Sequence, residues 1–148
     1  MTARVILLLA IGLTSAAGAE IMCPFMNAAT AGGILRGQVD STVTTSGPHQ
    51  TCEFTLRNST DKLRIEVTTM DASRTELAAF TAPCTRPAEP LRGIGNDAAA
   101  CSIDSHTEQV AGRVRKQAFA IRIHGTSSSD NLRKKAIGAA EQVAGSLF

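Results

Sequence analysis

The chain has 148 residues, of which 15 are basic and 13 acidic, so its formal net charge at pH 7 is +2. Domains that bind nucleic acids are usually far more basic than this. The sequence contains five phenylalanines and neither tryptophan nor tyrosine, so it is poor in the aromatic side chains on which bases and sugars stack. We therefore expect no nucleic-acid partner, and stacked sugars are disfavoured.

The first nineteen residues show the pattern of a secretory signal peptide. Arg4 supplies the positive charge, the nine residues Val5–Leu13 form an apolar core, and Ala17-Gly18-Ala19 offers the small residues that signal peptidase reads. A core of that length is too short for a membrane-spanning helix, which takes roughly 20 residues, so an N-terminal membrane anchor is the weaker alternative. We expect a signal peptide over residues 1–19 and export to the periplasm or the extracellular space.

The remaining residues 20–148 have the length of one domain. No second apolar stretch in them is long enough to cross a membrane as a helix, so no transmembrane segment is expected after cleavage near Ala19.

Four cysteines follow the expected cleavage site: Cys23, Cys52, Cys84 and Cys101. An even number of cysteines in an exported chain predicts disulfides, because the compartment is oxidising. Three pairings are possible. The sequential pairing Cys23–Cys52 and Cys84–Cys101 is favoured, because each bridge closes a modest loop. The chain has neither a C-x-x-C motif nor zinc-type spacing, so we expect no metal, no cofactor and no thiol redox centre.

The elements expected after residue 20 begin with a short helix. Asn27 is a typical N-cap residue, and small and apolar side chains follow at helical spacing as far as Leu35. Three segments then alternate apolar and polar residues with a period of two, which predicts an antiparallel meander with one buried face. These segments are residues 39–45, 52–57 and 63–67.

A second helix and a second group of strands are expected next. Asp71 or Ser73 caps a helix that carries Leu77 and Phe80, and three prolines then predict an irregular loop over Ala82–Asn96. The remaining elements are strands over residues 98–103, 108–114 and 119–124 and an amphipathic helix over Asp130–Leu147.

The fold class that follows from these elements is α+β. We expect an antiparallel sheet of about five to six strands with the helices packed on one face, in the order α-β-β-β-α-β-β-β-α.

Basic residues on the last hairpin are the best candidate for a binding surface: Arg113, Arg115, Lys116 and Arg122. Arg113 and Arg115 share a strand face, since side chains repeat every second residue. The C-terminal third of the chain is locally positive, which can steer an anionic partner. The hypothesis is that this hairpin binds an anionic small molecule, a glycan or a protein. A charged face that only keeps the protein soluble is the alternative.

The three histidines are the candidates for catalysis: His49, His106 and His124. None has a partner at metal-ligand spacing along the chain, so no metal site is expected. No G-x-S-x-G motif presents a serine nucleophile. We expect a binding domain rather than an enzyme. A small secreted hydrolase is the alternative, and it requires a histidine beside carboxylates in a concavity.

Several features spread over most of the chain carry a resemblance to a known group of proteins. They are Cys23-Pro24 before a helix with Gly32-Gly33, Cys52-Glu53-Phe54 in a strand, Cys84, the turn Gly93–Ala98, Gly112–Arg115 with Phe119, and the closing helix Ala140–Leu147. The layout resembles small exported bacterial two-disulfide domains of unknown function. It is more distantly similar to sensor-type domains of bacterial surface lipoproteins and receptor kinases. That resemblance implies a module that binds a ligand or partner, with no catalytic residues to carry over. The chain departs from the lipoproteins, because Ile21 and Met22 precede Cys23 where lipidation needs a small residue.

Overall fold

The computed structural model describes residues 21–68 and 74–148 of the chain. The expected signal peptide and the helix caps expected at Asp71 or Ser73 lie outside the described residues.

Three helices and seven strands occur in the described ranges. In chain order they are α1 Ala28–Leu35, β1 Val39–Ser46, β2 His49–Leu56, β3 Lys62–Thr68, α2 Arg74–Thr81, β4 Glu89–Leu91, β5 Asp97–Asp104, β6 Thr107–Val114, β7 Gln117–His124 and α3 Ser129–Leu147. The α+β class is therefore confirmed. Helix α1 begins where its cap predicts, because the Asn27 side chain accepts a hydrogen bond of 2.8 Å from the N–H of Thr30.

The described strands form one antiparallel sheet in the order β1-β2-β3-β7-β6-β5-β4. The expected count of five to six strands is wrong, because the segment expected to be an irregular loop contains β4. Glu89–Leu91 pairs with Ala98–Ala100 at the edge of the sheet. Pro90 is compatible with that position, since proline within a sheet is found essentially on edge strands, where one side of the strand has no neighbour to bond.

One face of the sheet carries the main hydrophobic core. Helices α1 and α3 pack against it, and its central side chains are fully buried. The sheet supplies Phe54, Leu63, Ile65, Val67, Val110, Phe119, Ile121 and Ile123, and the helices supply Ala31, Leu35, Leu132, Ala136, Ala139, Ala140 and Val143. The sheet residues are those that the period-two pattern predicts for one face.

Helix α2 packs on the opposite face, so the expectation that the helices cover one face is wrong. Its Phe80 forms a second cluster with Ala111, Ala118 and Ala120. These alanines alternate along β6 and β7 with residues of the main core, and alternate residues of a strand point to opposite faces. Among the described elements, helices therefore cover both sides of the sheet at β6 and β7 and one side at β1 and β2.

Two disulfides tie the chain to this sheet. Cys23 is bonded to Cys52 and Cys84 to Cys101, with Cα–Cα distances of 5.8 and 5.7 Å. These are the pairs that the sequence favours. The first bridge fastens the segment before α1 to β2, and the second fastens the segment after α2 to β5. Disulfides of this kind form and persist in oxidising compartments. Among the described helices, none combines the length and the hydropathy that a membrane crossing requires.

Candidate functional site

A polar cavity lies at the end of the sheet where β5 turns into β6. Its volume is about 450 Å³. It is lined by Thr85, Arg86, Ser102, Asp104, Ser105 and Ser129. We call it the Glu108 cavity, after the buried carboxylate behind its wall.

Three elements that are distant in sequence build the Glu108 cavity. The Cys84–Cys101 bridge brings the segment after α2 to β5, where the N–H and the hydroxyl of Thr85 both donate to the carbonyl of Ser102, at 2.9 and 3.0 Å. Strand β5 has a register shift between Ser102 and Asp104, of the kind that re-aims side chains at a strand end. Ser129, the first residue of α3, completes the lining.

Glu108 lies directly behind the two serines of the wall. Its side chain is 1% exposed. The hydroxyls of Ser102 and Ser129 each donate to Oε1 of Glu108 at 2.6 Å. Its Oε2 is buried and has no hydrogen-bond partner among the described residues. A buried carboxylate that is only half satisfied is costly, since burial removes the water that would otherwise bond to it.

The serine hydroxyls determine what the Glu108 cavity offers to a bound molecule. A hydroxyl has one proton to donate and two lone pairs that accept. Because Ser102 and Ser129 give their protons to Glu108, each presents only acceptor lone pairs on its other side. The wall is therefore suited to hydrogen-bond donors such as N–H groups.

Asp104 adds a second carboxylate at the cavity. The backbone N–H of His106 donates to its Oδ1 at 2.7 Å, and the hydroxyl of Thr107 lies 3.0 Å from its Oδ2. The His106 N–H bond, with help from Thr107 and the two nearby histidines, lowers the pKa of the Asp104 carboxyl below its ordinary value. Asp104 is therefore negatively charged at neutral pH, and Arg86 is the one cation among the described residues that line the cavity.

Two of the three histidines meet beside this turn. The rings of His106 and His124 are 6.4 Å apart and edge to face. Nδ1 of His124 lies 3.0 Å from the hydroxyl of Thr107, which also contacts Asp104. No serine hydroxyl contacts a histidine in the hydrogen bonds of the described residues. In the same part of the chain, no group of three or more metal-ligating side chains is arranged to hold a metal ion.

The third histidine lies elsewhere, on the open polar face of β2 and β3. Nδ1 of His49 is 3.3 Å from Oε1 of Glu66 but outside hydrogen-bonding geometry. Arg64 approaches the other oxygen of Glu66 at 3.8 Å. His49 is thus separate from the pair of histidines at the Glu108 cavity.

The basic residues predicted to form one binding surface occupy different surroundings. Arg113 donates to Asp97 at 2.7 and 3.1 Å and to the backbone carbonyl of Arg115 at 3.1 Å. Arg115 and Lys116 form the exposed turn between β6 and β7. The Arg115 guanidinium lies 5.9 Å from the centre of the Phe148 ring.

Arg122 lies on the same sheet face as Arg113, but at the other end of the hairpin. Arg113 is opposite Ala118 of β7, and Arg122 lies four residues further along that strand. Four residues of a strand span about 13 Å. Nε of Arg122 donates to Oε1 of Gln109 at 2.6 Å, and Nε2 of Gln109 donates to the carbonyl of Phe80 in α2, also at 2.6 Å. Arg122 therefore belongs to a hydrogen-bonded chain that fastens α2 to the sheet.

Sequence reasoning missed Glu108, although the sequence carries a signal for it. Glu108 has the same strand phase as Val110 and Val114, which both face the main core. A charged residue in a buried phase needs a partner, so this position is unusual for a strand. The partners, however, come from β5 and from the start of α3, and no local pattern indicates that they would meet.

Comparison with known proteins gives no relative: no protein-family model, no curated protein and no solved structure matches the chain. The Glu108 cavity is therefore interpreted from its own chemistry.

Proposed function

We propose that this protein is an exported, non-catalytic domain that binds a small amine-bearing molecule in the Glu108 cavity. The observation that carries the proposal is the Glu108 carboxylate, which is 1% exposed and has one oxygen without a partner among the described residues. A bound ammonium group supplies positive charge and three N–H donors. The positive charge offsets the cost of the buried carboxylate across the wall, and the N–H groups can donate to the hydroxyl oxygens of Ser102 and Ser129, which bond to Glu108.

The surroundings of Glu108 support an amine over an anion. Ser102 and Ser129 direct their protons to Glu108 and leave acceptors toward the cavity. Asp104 contributes a second negative charge, and among the lining residues that the structure describes only Arg86 opposes it. The ammonium group is expected against the two serines, close to Glu108 and Asp104.

Export is the part of the proposal that rests on the cysteines. Two disulfides fit an oxidising compartment. The mass of the secreted protein before and after reduction tests it. A mass for residues 20–148 that is lower by four hydrogens before reduction supports export with both bridges closed. Free thiols or a retained N-terminus contradict it.

The basic hairpin is a weaker basis for function. Binding of an anionic small molecule, a glycan or a protein there stays a prediction. Arg113 is already paired with Asp97, and Arg122 already bonds Gln109. An anion would have to compete with those contacts.

Putrescine, a small diamine, is the probe that tests the amine proposal. Addition of putrescine to the isotope-labelled protein is expected to shift the amide resonances of Ser102, Asp104 and Ser129 in a saturable way. The matched control compound is 1,4-butanediol, which has the same carbon chain with hydroxyls in place of ammonium groups. Succinate, a dianion of similar length, is the control for charge.

Glu108→Gln tests whether the buried charge is responsible. Glutamine has nearly the same shape and keeps an oxygen to accept from Ser102 and Ser129. We expect putrescine to bind at least about tenfold more weakly, because the variant removes the negative charge that attracts the ammonium group from behind the two serines. Glu53→Gln, on the open sheet face, is the matched control and is expected to bind putrescine as the wild type does.

Three outcomes contradict the proposal: binding of 1,4-butanediol as tight as that of putrescine, preferential binding of succinate, or an unchanged affinity for putrescine in Glu108→Gln. If Glu108→Gln does not fold, Asp104→Asn gives the same test from the rim of the cavity.

A further inference from the structure

The two edges of the sheet differ in how they are protected. Strand β4 is three residues long, contains Pro90, and has Glu89 ion-paired with Arg133 of α3. Short length, proline and charge are the devices that keep an edge strand from pairing with another chain. The β4 edge therefore carries several of these devices.

The edge at β1 carries almost none of these devices. It is eight residues long, pairs with β2 along its whole length without a register shift, and contains neither proline nor lysine. Its one charged residue is Asp40, at the beginning of the strand, which Arg57 holds at 2.8 Å. The outer side of β1 has no strand beside it in the part of the chain that the structure describes. An edge strand presents a row of unpaired N–H and C=O groups on that side.

We propose that β1 pairs antiparallel with β1 of a second copy, so that two sheets join into one. The two-fold axis of such a pair passes through the shared edge. Paired residues in an antiparallel ladder point to the same face of the sheet, and alternate residues of a strand point to opposite faces. The two-fold axis must therefore pass beside a residue that pairs with its own copy, and not between two successive residues of the strand. We call that residue the centre of the pair.

Centres at Thr42 and at Val43 pair equally many residues of β1, and the centre at Val43 is the one that places valine opposite valine on the core face. Val43 then lies opposite Val43 of the second copy, and Thr42 opposite Thr44 of the second copy. The remaining pairs join Ser41 with Thr45 and Asp40 with Ser46. These pairs match β-branched and hydroxyl side chains and place no like charges opposite each other, which are the combinations that stabilise cross-strand pairs. The self-complementary pattern is what favours a second copy over a different protein.

Exposure of the threonines agrees with this register. Thr42 and Thr44 are exposed on the open polar face, while Val43 is half-buried against the main core. The pair would extend the polar face with threonines and the core face with valine. This inference does not depend on the Glu108 cavity, which lies at the β5–β6 turn.

Sedimentation equilibrium of the disulfide-bonded protein, over a range of concentrations, tests the proposal. The expected result is a reversible monomer–dimer equilibrium. The double variant Thr42→Lys with Thr44→Lys places lysine opposite lysine twice in the Val43-centred pair. We expect its dimer to be weaker by about tenfold or more, because like charges opposite each other are destabilising. Both positions are exposed in the monomer, so its thermal stability is expected to be unchanged.

A charge-swap variant makes the test specific. Thr42→Glu with Thr44→Glu is likewise expected to be monomeric alone, and an equimolar mixture with the lysine variant is expected to form heterodimers. Gln142→Lys with Ser146→Lys, on the exposed side of α3, adds the same charge elsewhere and is expected to leave the dimer intact. A wild-type protein that stays monomeric overturns the proposal. So does a dimer that the lysine variant does not weaken, or a mixture that does not associate.

Discussion

The two halves of the sheet bury their strands differently. In β6 and β7, burial runs without interruption from Glu108 to Gly112 and from Ala118 to Ile121. In β2 and β3, buried residues alternate with exposed or half-buried ones. The reason is the number of covered faces: α3 and α2 cover the two faces of β6 and β7, while no helix in the described part of the chain covers the second face of β1 and β2.

Side-chain size follows the same division. The second face at β6 and β7 is made of alanines, which allow α2 to lie close to the strands, with Phe80 filling the space between. The equivalent face of β2 and β3 carries Glu53, Arg64 and Glu66, which remain in water and pair loosely with one another or with Lys62. A sheet can therefore change from one-sided to two-sided burial within neighbouring strands, with β3 and β7 as the boundary.

The largest effect is expected from a charge placed on the covered second face. Ala120→Lys puts an ammonium group beneath α2, where the alanine is 2% exposed. We expect a loss of about 3 kcal/mol or more in the free energy of unfolding, because an unpaired charge becomes buried. Denaturant unfolding measures it.

Thr51→Lys is the matched control on the open second face. Thr51 is opposite Glu66 in the β2–β3 ladder, so the new charge has water and a carboxylate beside it. The expected change is within about 0.5 kcal/mol. Similar losses for the two variants would show that the two halves are not covered differently.

A middle-sized effect is expected at the link between α2 and the sheet. Gln109→Ala removes the donor to the Phe80 carbonyl and the acceptor of Arg122. We expect a loss of about 1–3 kcal/mol, since the buried partners are left unsatisfied. Hydrogen exchange is expected to quicken in α2 and to remain slow in β2 and β3.

Arg113→Gln is the control variant, because it breaks an ion pair near the surface. It is expected to lower the free energy of unfolding by less than about 1 kcal/mol. A uniform increase of exchange over the sheet would contradict a role in holding α2.

The smallest loss of stability is expected at the β5–β6 turn when the pH is lowered. The pKa of Asp104 is lower in the folded protein than in the unfolded chain. A group with a lowered pKa contributes stability above its unfolded pKa and loses it as the pH falls through the folded one. The turn is therefore expected to weaken only below about pH 4, the ordinary range of an aspartate. Asp104→Asn is expected to flatten stability against pH in that range. A carboxyl resonance of Asp104 that titrates at or above the ordinary value would be evidence against this prediction.

Much of the fold could be predicted because its signals are local. Asn27 caps α1, alternation marks the strands, and the turn at Arg115 and Lys116 separates β6 from β7. Strand β4 was missed because three prolines in its segment argue against a strand, and only pairing with β5 at an edge makes it one.

The candidate site was harder to predict than the fold. The sequence singled out basic residues by their closeness along the chain, but Arg113 and Arg122 bond to different elements. Glu108 was not singled out, because its partners Ser102 and Ser129 come from other elements.

The sequence by itself determined where every element except β4 lies and which residues of the central strands share a face, since backbone periodicity and capping act over a few residues. Tertiary structure alone decided which faces are covered, where α2 packs, and which polar groups meet at the Glu108 cavity. The physical reason is that burial and pairing depend on what packs against a residue. For Glu108, Gln109 and Arg122, that partner is supplied by an element remote in the chain.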